Sequence, residues 1–300
     1  MKNVYITRTI LPDGILKLQQ NGFTVEVWDQ ASPVPAEVLH TKAQTSQALI
    51  TMLTDKIDEN FLKKNPRLKI ISNYAVGTNN IDKVTADKLG IVIGNTPDVL
   101  TEATAEVAFG LMIACARQFK AASKNAQNGL WNTWEPMGFL GLSLKNKTLG
   151  IIGNGRIGKE MALLSKGAFN MNIKIYNRGD DLLLFLKDLD VLSLHIPLNT
   201  ETEKIIGARE LASMKPEAII INTARGEVID QDELYKAIKE NRLFGAGLDV
   251  TYPEPLPPKH PLYSLDQVLI LPHIGSATFE ARKKMSLKCA DNIINAFKSS

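Results

Sequence analysis

Along the first third of the chain, short apolar runs alternate with stretches whose apolar residues recur every three or four positions. Runs at 4–7, 25–27, 48–51, 69–72 and 91–93 predict strands, and the patterns at 12–21 and 36–40 predict helices. This alternation makes a layer of mostly parallel strands covered by helices. Residues 101–119 predict the longest helix, with Thr101 and Glu102 near its start. Its faces are small or apolar nearly all round, which predicts burial between domains or subunits. Residues 128–144 break the pattern with glycines, a proline and two tryptophans, and predict a connecting arm. A second alternation begins at Lys147. Its strands are predicted at 148–152, 172–176, 191–195, 218–222, 243–248 and 268–271, with helices at 159–168 and 230–240 and a final helix at 279–297.

A chain of 300 residues exceeds one comfortable core, so two domains are expected. A hydrophobic share of 44% and a charged share of 22% suit a soluble globular protein. The net charge of +3 is spread out, and no basic block carries interleaved aromatics, so nucleic acid is not an expected partner. No apolar run reaches membrane-spanning length, and no secretory leader opens the sequence. Cys115 and Cys289 lie far apart in helical patterns and read as reduced, packed thiols, which predicts a cytoplasmic protein.

The candidate chemistry begins at Leu149-Gly-Ile-Ile-Gly153-Asn-Gly155-Arg-Ile-Gly158. An apolar strand runs into three glycines and then a helix. Gly153 allows a tight turn, Gly155 lets a backbone approach a pyrophosphate, and Gly158 lets helix and strand pack closely. The helix N-terminus then offers N–H groups and a positive dipole end to phosphate. The same glycines also suit a bare strand–turn–helix joint.

In open α/β sheets, ligands sit beyond the carboxyl ends of the strands. The predicted strand 218–222 is followed by Arg225, the strand 243–248 by Glu254, and the strand 268–271 by His273. An arginine fork donates two parallel hydrogen bonds to a carboxylate. A histidine can pass a proton near neutral pH, and a carboxylate beside it stabilises the imidazolium. With a dinucleotide, these groups suit hydride transfer to a 2-keto acid. Each also has a plainer reading: Arg225 as a surface ion-pair partner, Glu254 as a solvated loop carboxylate, His273 as a packed histidine. His40 and His260 read as surface residues. His195 ends an apolar strand and suits either cofactor contact or packing.

Over nearly its whole length the chain resembles the D-isomer-specific 2-hydroxyacid dehydrogenases. The motifs that carry the resemblance are Tyr74-Ala-Val-Gly77-Thr-Asn-Asn-Ile-Asp, Asn95-Thr-Pro-Asp-Val-Leu-Thr-Glu-Ala-Thr-Ala-Glu106, the glycine turn, His195-Ile-Pro-Leu, Asn222-Thr-Ala-Arg225-Gly and Pro272-His273-Ile-Gly-Ser-Ala-Thr. Gly247-Leu-Asp-Val-Thr-Tyr-Pro-Glu-Pro-Leu-Pro, Asp98-Val-Leu-Thr and Trp131-Asn-Thr-Trp134 resemble the glyoxylate/hydroxypyruvate reductase branch. The resemblance implies an α/β fold of two domains, one flavodoxin-like and one Rossmann. The expected boundaries are 1–97 with 280–300 for the substrate domain and 98–279 for the dinucleotide-binding domain.

It also implies roles by position. Arg225 would clamp the substrate carboxylate, helped by the N–H groups of Val76 and Gly77, with Leu53 and Ser276 nearby. Glu254 would pair with His273 as acid/base. Gly153, Gly155, Arg156 and Ile157 would hold the pyrophosphate. Thr104, Asn177, Arg178, His195, Pro197, Thr223, Ala224, Asp249, His273 and Gly275 would line the cofactor. Trp134 would reach from the arm into a partner subunit's site in a homodimer.

Two departures stand out. The family's helix and edge strand after the second Rossmann strand are missing, because Asn177-Arg-Gly-Asp-Asp181 leads directly to residues 182–186. The sheet should therefore end at that second strand. The chain also stops at Ser300, short of the family's usual tail. For the cofactor, Asn177-Arg178 where NAD enzymes carry an acid favours NADP(H), while Asp180 and Asp181 point towards NAD(H). The expected activity is reduction of glyoxylate or hydroxypyruvate to the D-2-hydroxy acid. Alternatives are an NADH-dependent reductase of a bulkier acid and a cofactor-sensing, corepressor-like interaction protein.

Overall fold

The computed structural model describes residues 2–298 and divides into two compact units, 1–100 with 277–300, and 101–276. In chain order the first unit contains β1 (Lys2–Ile6), α1 (Pro12–Gln20), β2 (Phe23–Val27), α2 (Ala36–Thr45), β3 (Ala48–Thr51), α3 (Glu59–Lys64), β4 (Ile70–Asn73), α4 (Lys83–Lys88) and β5 (Val92–Gly94). All neighbouring strands are parallel, in the order β2-β1-β3-β4-β5. That is the flavodoxin-like order, which reverses direction between β1 and β3. The helices start where the sequence signals a start. Pro12 opens α1, and the Asp58 and Asp82 carboxylates cap α3 and α4 by accepting the N–H groups of Phe61 at 2.9 Å and Thr85 at 3.0 Å. β3 and β4 are buried on both faces, as expected of central strands under helices.

The second unit contains α5 (Thr101–Ala116), α6 (Phe119–Gln127), β6 (Thr148–Ile152), α7 (Arg156–Phe169), β7 (Asn172–Tyr176), α8 (Leu182–Leu186), β8 (Val191–Leu194), α9 (Ala208–Ser213), β9 (Ile219–Asn222), α10 (Gln231–Lys239), β10 (Gly245–Leu248) and β11 (Val268–Ile270). The first unit then closes with α11 (Phe279–Lys298). The second sheet is all parallel, in the order β11-β10-β9-β8-β6-β7. This is a Rossmann sheet whose third strand is absent, so it ends at β7. The short loop after β7 has no room for the missing unit. It turns into the five-residue α8, capped by the Asp181 carboxylate on the Leu184 N–H at 3.1 Å.

Two helix expectations need correction. Residues 101–119 are not one helix: α5 stops at Ala116, Gln118 takes a left-handed φ of 52°, and α6 starts at Phe119. The longest helix is α11, with 20 residues. Within a single chain α5 is buried along one side. Ala108, Leu111, Met112 and Cys115 pack into the core, whereas Glu102, Glu106 and Gly110 are exposed.

Candidate active site

The carboxyl ends of β9, β10 and β11 lie side by side, and each leads into a turn that its own sequence locks. After β9, the Asn222 side chain accepts the Ala224 N–H at 3.0 Å and donates to the Arg225 carbonyl at 2.8 Å. Gly226 follows because nothing larger fits: a Cβ there would lie 2.1 Å from the Thr251 carbonyl carbon. The Arg225 turn therefore rests directly on the backbone that follows β10. Gln231 holds that backbone in turn, accepting the Tyr252 N–H at 2.9 Å and donating to the Tyr252 carbonyl. Two residues on stands Glu254.

After β11, His273 adopts a left-handed φ of 53°. Such a conformation is unfavourable for a non-glycine residue and persists where the surroundings over-determine it. Here Asp249 supplies the constraint. Its carbonyl accepts the His273 N–H at 2.9 Å, and its carboxylate accepts the N–H groups of Ile274 at 2.7 Å and Gly275 at 2.8 Å. From α5 the Thr104 hydroxyl donates to the Gly275 carbonyl at 3.0 Å. Burial raises the Asp249 carboxyl above the usual range, against the lowering effect of those N–H groups and of His273. Held this way, the imidazole Nδ1 of His273 is hydrogen-bonded to the Glu254 carboxylate.

Arg225 is a half-buried cation that makes no ion pair among the described residues. Its guanidinium donates to the carbonyl of its neighbour Ala224 at 2.6 Å and has no carboxylate partner among the described residues. Burial lowers its proton affinity, with Glu254 and Glu227 acting in the opposite sense from a distance. A desolvated arginine with donors unused is unfavourable alone and suits an anionic ligand.

The other histidines do not share this environment. Burial pushes His195 down to about 4, so its ring is neutral at pH 7. It lies between the hydroxyl of Ser193, at 2.8 Å from Nε2, and that of Thr223, at 3.5 Å from Nδ1. His40 is not a free surface residue: it is half-buried, packs on Phe61 with ring centroids 4.9 Å apart and faces the Asn65 amide at 3.3 Å. His260 accepts the Leu262 N–H at 3.3 Å and caps a short helical turn.

The glycine turn fits a dinucleotide. Gly153 has φ 109° and runs against the His195 carbonyl, where a Cβ would stand 2.4 Å from oxygen. A Cβ on Gly158 would lie 2.1 Å from the Gly153 carbonyl, so that glycine sets how closely α7 packs on β6. Gly155 faces open space and caps α7 without a side-chain acceptor, which leaves the first helical turn available for phosphate.

A family model described as the NAD binding domain of D-isomer specific 2-hydroxyacid dehydrogenase matches residues 109–275. The glyoxylate reductase of Thermococcus litoralis is 45% identical over 308 residues, spanning 97% of this chain and 92% of its own. The chain belongs to the D-isomer-specific 2-hydroxyacid dehydrogenase family. Among solved structures, the TT0316 protein of Thermus thermophilus matches with a TM-score of 0.94 at 38% identity, over 99% of this chain and 97% of that one. An NADPH-dependent glyoxylate/hydroxypyruvate reductase from Sinorhizobium meliloti matches with a TM-score of 0.83 at 28% identity, over 100% and 94%.

As a family member the chain carries a nicotinamide-dinucleotide-binding unit, and its other expected ligand residues fall as follows. At the end of β7 it is Asp180, not Arg178, that meets the strand, accepting the Asn177 N–H at 2.8 Å and its side-chain amide at 3.3 Å. Arg178 points to solvent, 84% exposed at its side chain, and pairs with the Glu201 carboxylate. Pro197 is exposed, and its carbonyl accepts the Thr202 hydroxyl at 2.7 Å. Arg156 is exposed and Ile157 half-buried in the first turn of α7, and Ser276 is half-buried after Gly275. In the first unit Leu53 is half-buried after β3, and Val76 and Gly77 follow β4. Trp134 lies on the arm, 80% exposed. Sequence reasoning missed Asn222 and Gln231 as site-building residues. An asparagine at the strand end two residues before Ala224 is the signal that could have revealed the first. Gln231 contacts a segment twenty-one residues away and leaves no local signal. Among the described residues no acid, histidine or cysteine cluster suits a metal ion.

Proposed function

We propose that the protein reduces glyoxylate or hydroxypyruvate to the corresponding D-2-hydroxy acid, with NADPH as the preferred reductant. The observation that carries this reading is Arg225, a desolvated cation with unused donors on the strand end beside the His273–Glu254 pair. The Thermococcus litoralis relative, a glyoxylate reductase, supports the substrate class.

The nicotinamide, when bound, supplies the hydride. Gly153, Gly155, Arg156 and Ile157 would hold the pyrophosphate of the dinucleotide, with Thr104, Asn177, His195, Pro197, Thr223, Ala224, Asp249 and Gly275 along the remainder. Arg225 binds the substrate carboxylate bidentately and so fixes the orientation of the adjacent carbonyl. We also assign substrate contact to the N–H groups of Val76 and Gly77 and to Leu53 and Ser276. His273, as imidazolium, donates its Nε2 proton to the carbonyl oxygen as that oxygen gains charge. Glu254, on Nδ1, orients the ring. A spectrophotometric screen of glyoxylate, hydroxypyruvate and bulkier 2-keto acids with both reduced cofactors tests the reading. Small acids should turn over fastest with NADPH, and no turnover of any keto acid would favour a cofactor sensor.

The NADPH preference rests on Arg178. A charge-assisted contact to a 2′-phosphate is worth ~1.5–3 kcal/mol, or roughly ten- to a hundredfold. Glu201 competes for the guanidinium and Asp180 repels phosphate, so the preference is expected at the low end. Arg178→Ala should lower kcat/KM for NADPH about tenfold and leave NADH nearly unchanged. Wild-type protein using NADH at least as well, or both cofactors suffering alike in the variant, would reject this role and favour Asp180 on the ribose.

We further infer a homodimer through α5 and the arm. Phe109 and Ile113 are incompletely covered on α5, and Phe119, Trp131 and Trp134 are 53%, 74% and 80% exposed. An apolar patch of this kind marks an association surface. Sedimentation at micromolar concentration should give a single species of twice the chain mass; a monomer would contradict the assignment. A cytoplasmic location accords with two unpaired, buried cysteines. Among the described residues no helix is long and apolar enough to cross a membrane.

A further inference from the structure

Within the first unit, β4 runs into the turn Tyr74-Ala75-Val76-Gly77, whose last three carbonyls are taken one after another. The Thr96 N–H donates to the Ala75 carbonyl at 2.9 Å. The Asn95 side-chain amide donates to the Val76 carbonyl at 2.9 Å. The Asn73 side-chain amide donates to the Gly77 carbonyl at 2.8 Å. Across a planar trans peptide the N–H points away from the carbonyl. Fixing the Ala75 carbonyl therefore aims the Val76 N–H, and fixing the Val76 carbonyl aims the Gly77 N–H. Neither of these N–H groups has an acceptor among the described residues. Val76 is 39% exposed and Gly77 is half-buried. Successive unpaired N–H groups form a concavity for an anionic oxygen.

The donors differ in what else they do. Asn73 is fully buried and also meets the Asn80 side chain at 3.1 Å, while Asn80 donates to the carbonyls of Met52 at 3.0 Å and Asp55 at 2.9 Å. Those contacts make Asn73 part of the core. Asn95 is half-buried, and its side-chain amide has the Val76 carbonyl as its hydrogen-bond acceptor. Its backbone is secured separately, by the Asn292 amide of α11 on the Asn95 carbonyl at 2.9 Å. Removing the Asn95 side chain thus frees one peptide plane and leaves the loop anchored.

We propose that Asn95 is a positioning residue for substrate binding: by holding the Val76 carbonyl it aims the Gly77 N–H at the keto-acid carboxylate. This rests on the reading that Val76 and Gly77 bind that carboxylate. The test compares wild type, Asn95→Ala and Asn95→Gln as full-length holoenzyme. It reads KM for glyoxylate, KM for the reduced cofactor, kcat, thermal midpoint, and the Kd of oxamate, a non-reducible carboxylate analogue. Asn95→Ala should raise KM for glyoxylate and Kd for oxamate about tenfold, the low end for a lost hydrogen bond to a charged group. Its kcat, cofactor KM and thermal midpoint should stay near wild type. Asn95→Gln keeps an amide donor on a longer arm and should recover most of the loss. Unchanged KM and Kd in Asn95→Ala would overturn the inference, as would a loss matched by a lower thermal midpoint and not recovered by Gln. Wild-type protein that binds oxamate with this Asn95 dependence yet reduces no keto acid would reject the reductase reading alone. Wild-type protein that does not bind oxamate would overturn the cradle itself.

Discussion

Replacing His273 with Asn should lower turnover by roughly two to four orders of magnitude, the usual worth of a positioned proton donor. Asparagine is the informative substitution because it keeps a polar side chain of similar reach and, among non-glycine residues, tolerates a left-handed backbone well. That matters at a residue with φ 53° whose N–H is bonded to the Asp249 carbonyl at 2.9 Å. The loop should therefore survive, and with it cofactor binding. What is lost is a titratable nitrogen backed by the Glu254 carboxylate. Steady-state kcat together with fluorescence titration of the reduced cofactor checks both halves. Turnover near wild type would remove His273 from the mechanism. Impaired cofactor binding of the same size would show that the substitution disturbed the loop rather than the chemistry.

Arg225→Lys should raise KM for the keto acid strongly and lower kcat/KM by roughly a hundredfold, the order set by a lost charge-assisted contact. Lysine keeps the positive charge but is a point donor, and it cannot offer the two parallel bonds of a guanidinium. The size of the effect follows from the environment. Burial already lowers the proton affinity of Arg225, and among the described residues its side chain donates only to the neighbouring Ala224 carbonyl at 2.6 Å. The substrate carboxylate would thus be its main partner, in surroundings where charge is poorly screened. Because Asn222 grips the backbone around this residue and not its side chain, the turn itself should tolerate the change. Kinetics with glyoxylate against reduced cofactor provide the check; an unchanged kcat/KM would mean that another group holds the carboxylate.

Much of the architecture was legible in the chain itself. Short apolar runs separated by helical patterns gave parallel strands, because a strand covered by helices on both sides has no polar face to alternate. The glycines at 153, 155 and 158 announced a strand–turn–helix joint, and at 153 and 158 the close backbone approach leaves no room for a Cβ. The loss of one helix–strand unit was a matter of length: the few residues between Tyr176 and Leu182 cannot build it, and the sheet ends at β7 accordingly. The break inside 101–119 was hidden, because the left-handed turn at Gln118 falls in an apolar-rich stretch with neither glycine nor proline beside it to mark the stop.

Contact between distant segments was decided only in three dimensions. The sequence by itself placed Arg225, Glu254 and His273 after three strands; strand order β11-β10-β9 made those ends neighbours. Pairing of Glu254 with His273 depends on Asp249 gripping the backbone of 274 and 275, a carboxylate that sequence reasoning assigned to the cofactor. The pairing of Arg178 with Glu201, and the seating of Asp180 against the β7 end, likewise have no signature in spacing. Local propensity acts over a few residues and fixes elements. Which polar side chain meets which depends on how loops at the ends of those elements pack, and burial then sets the strength of each contact.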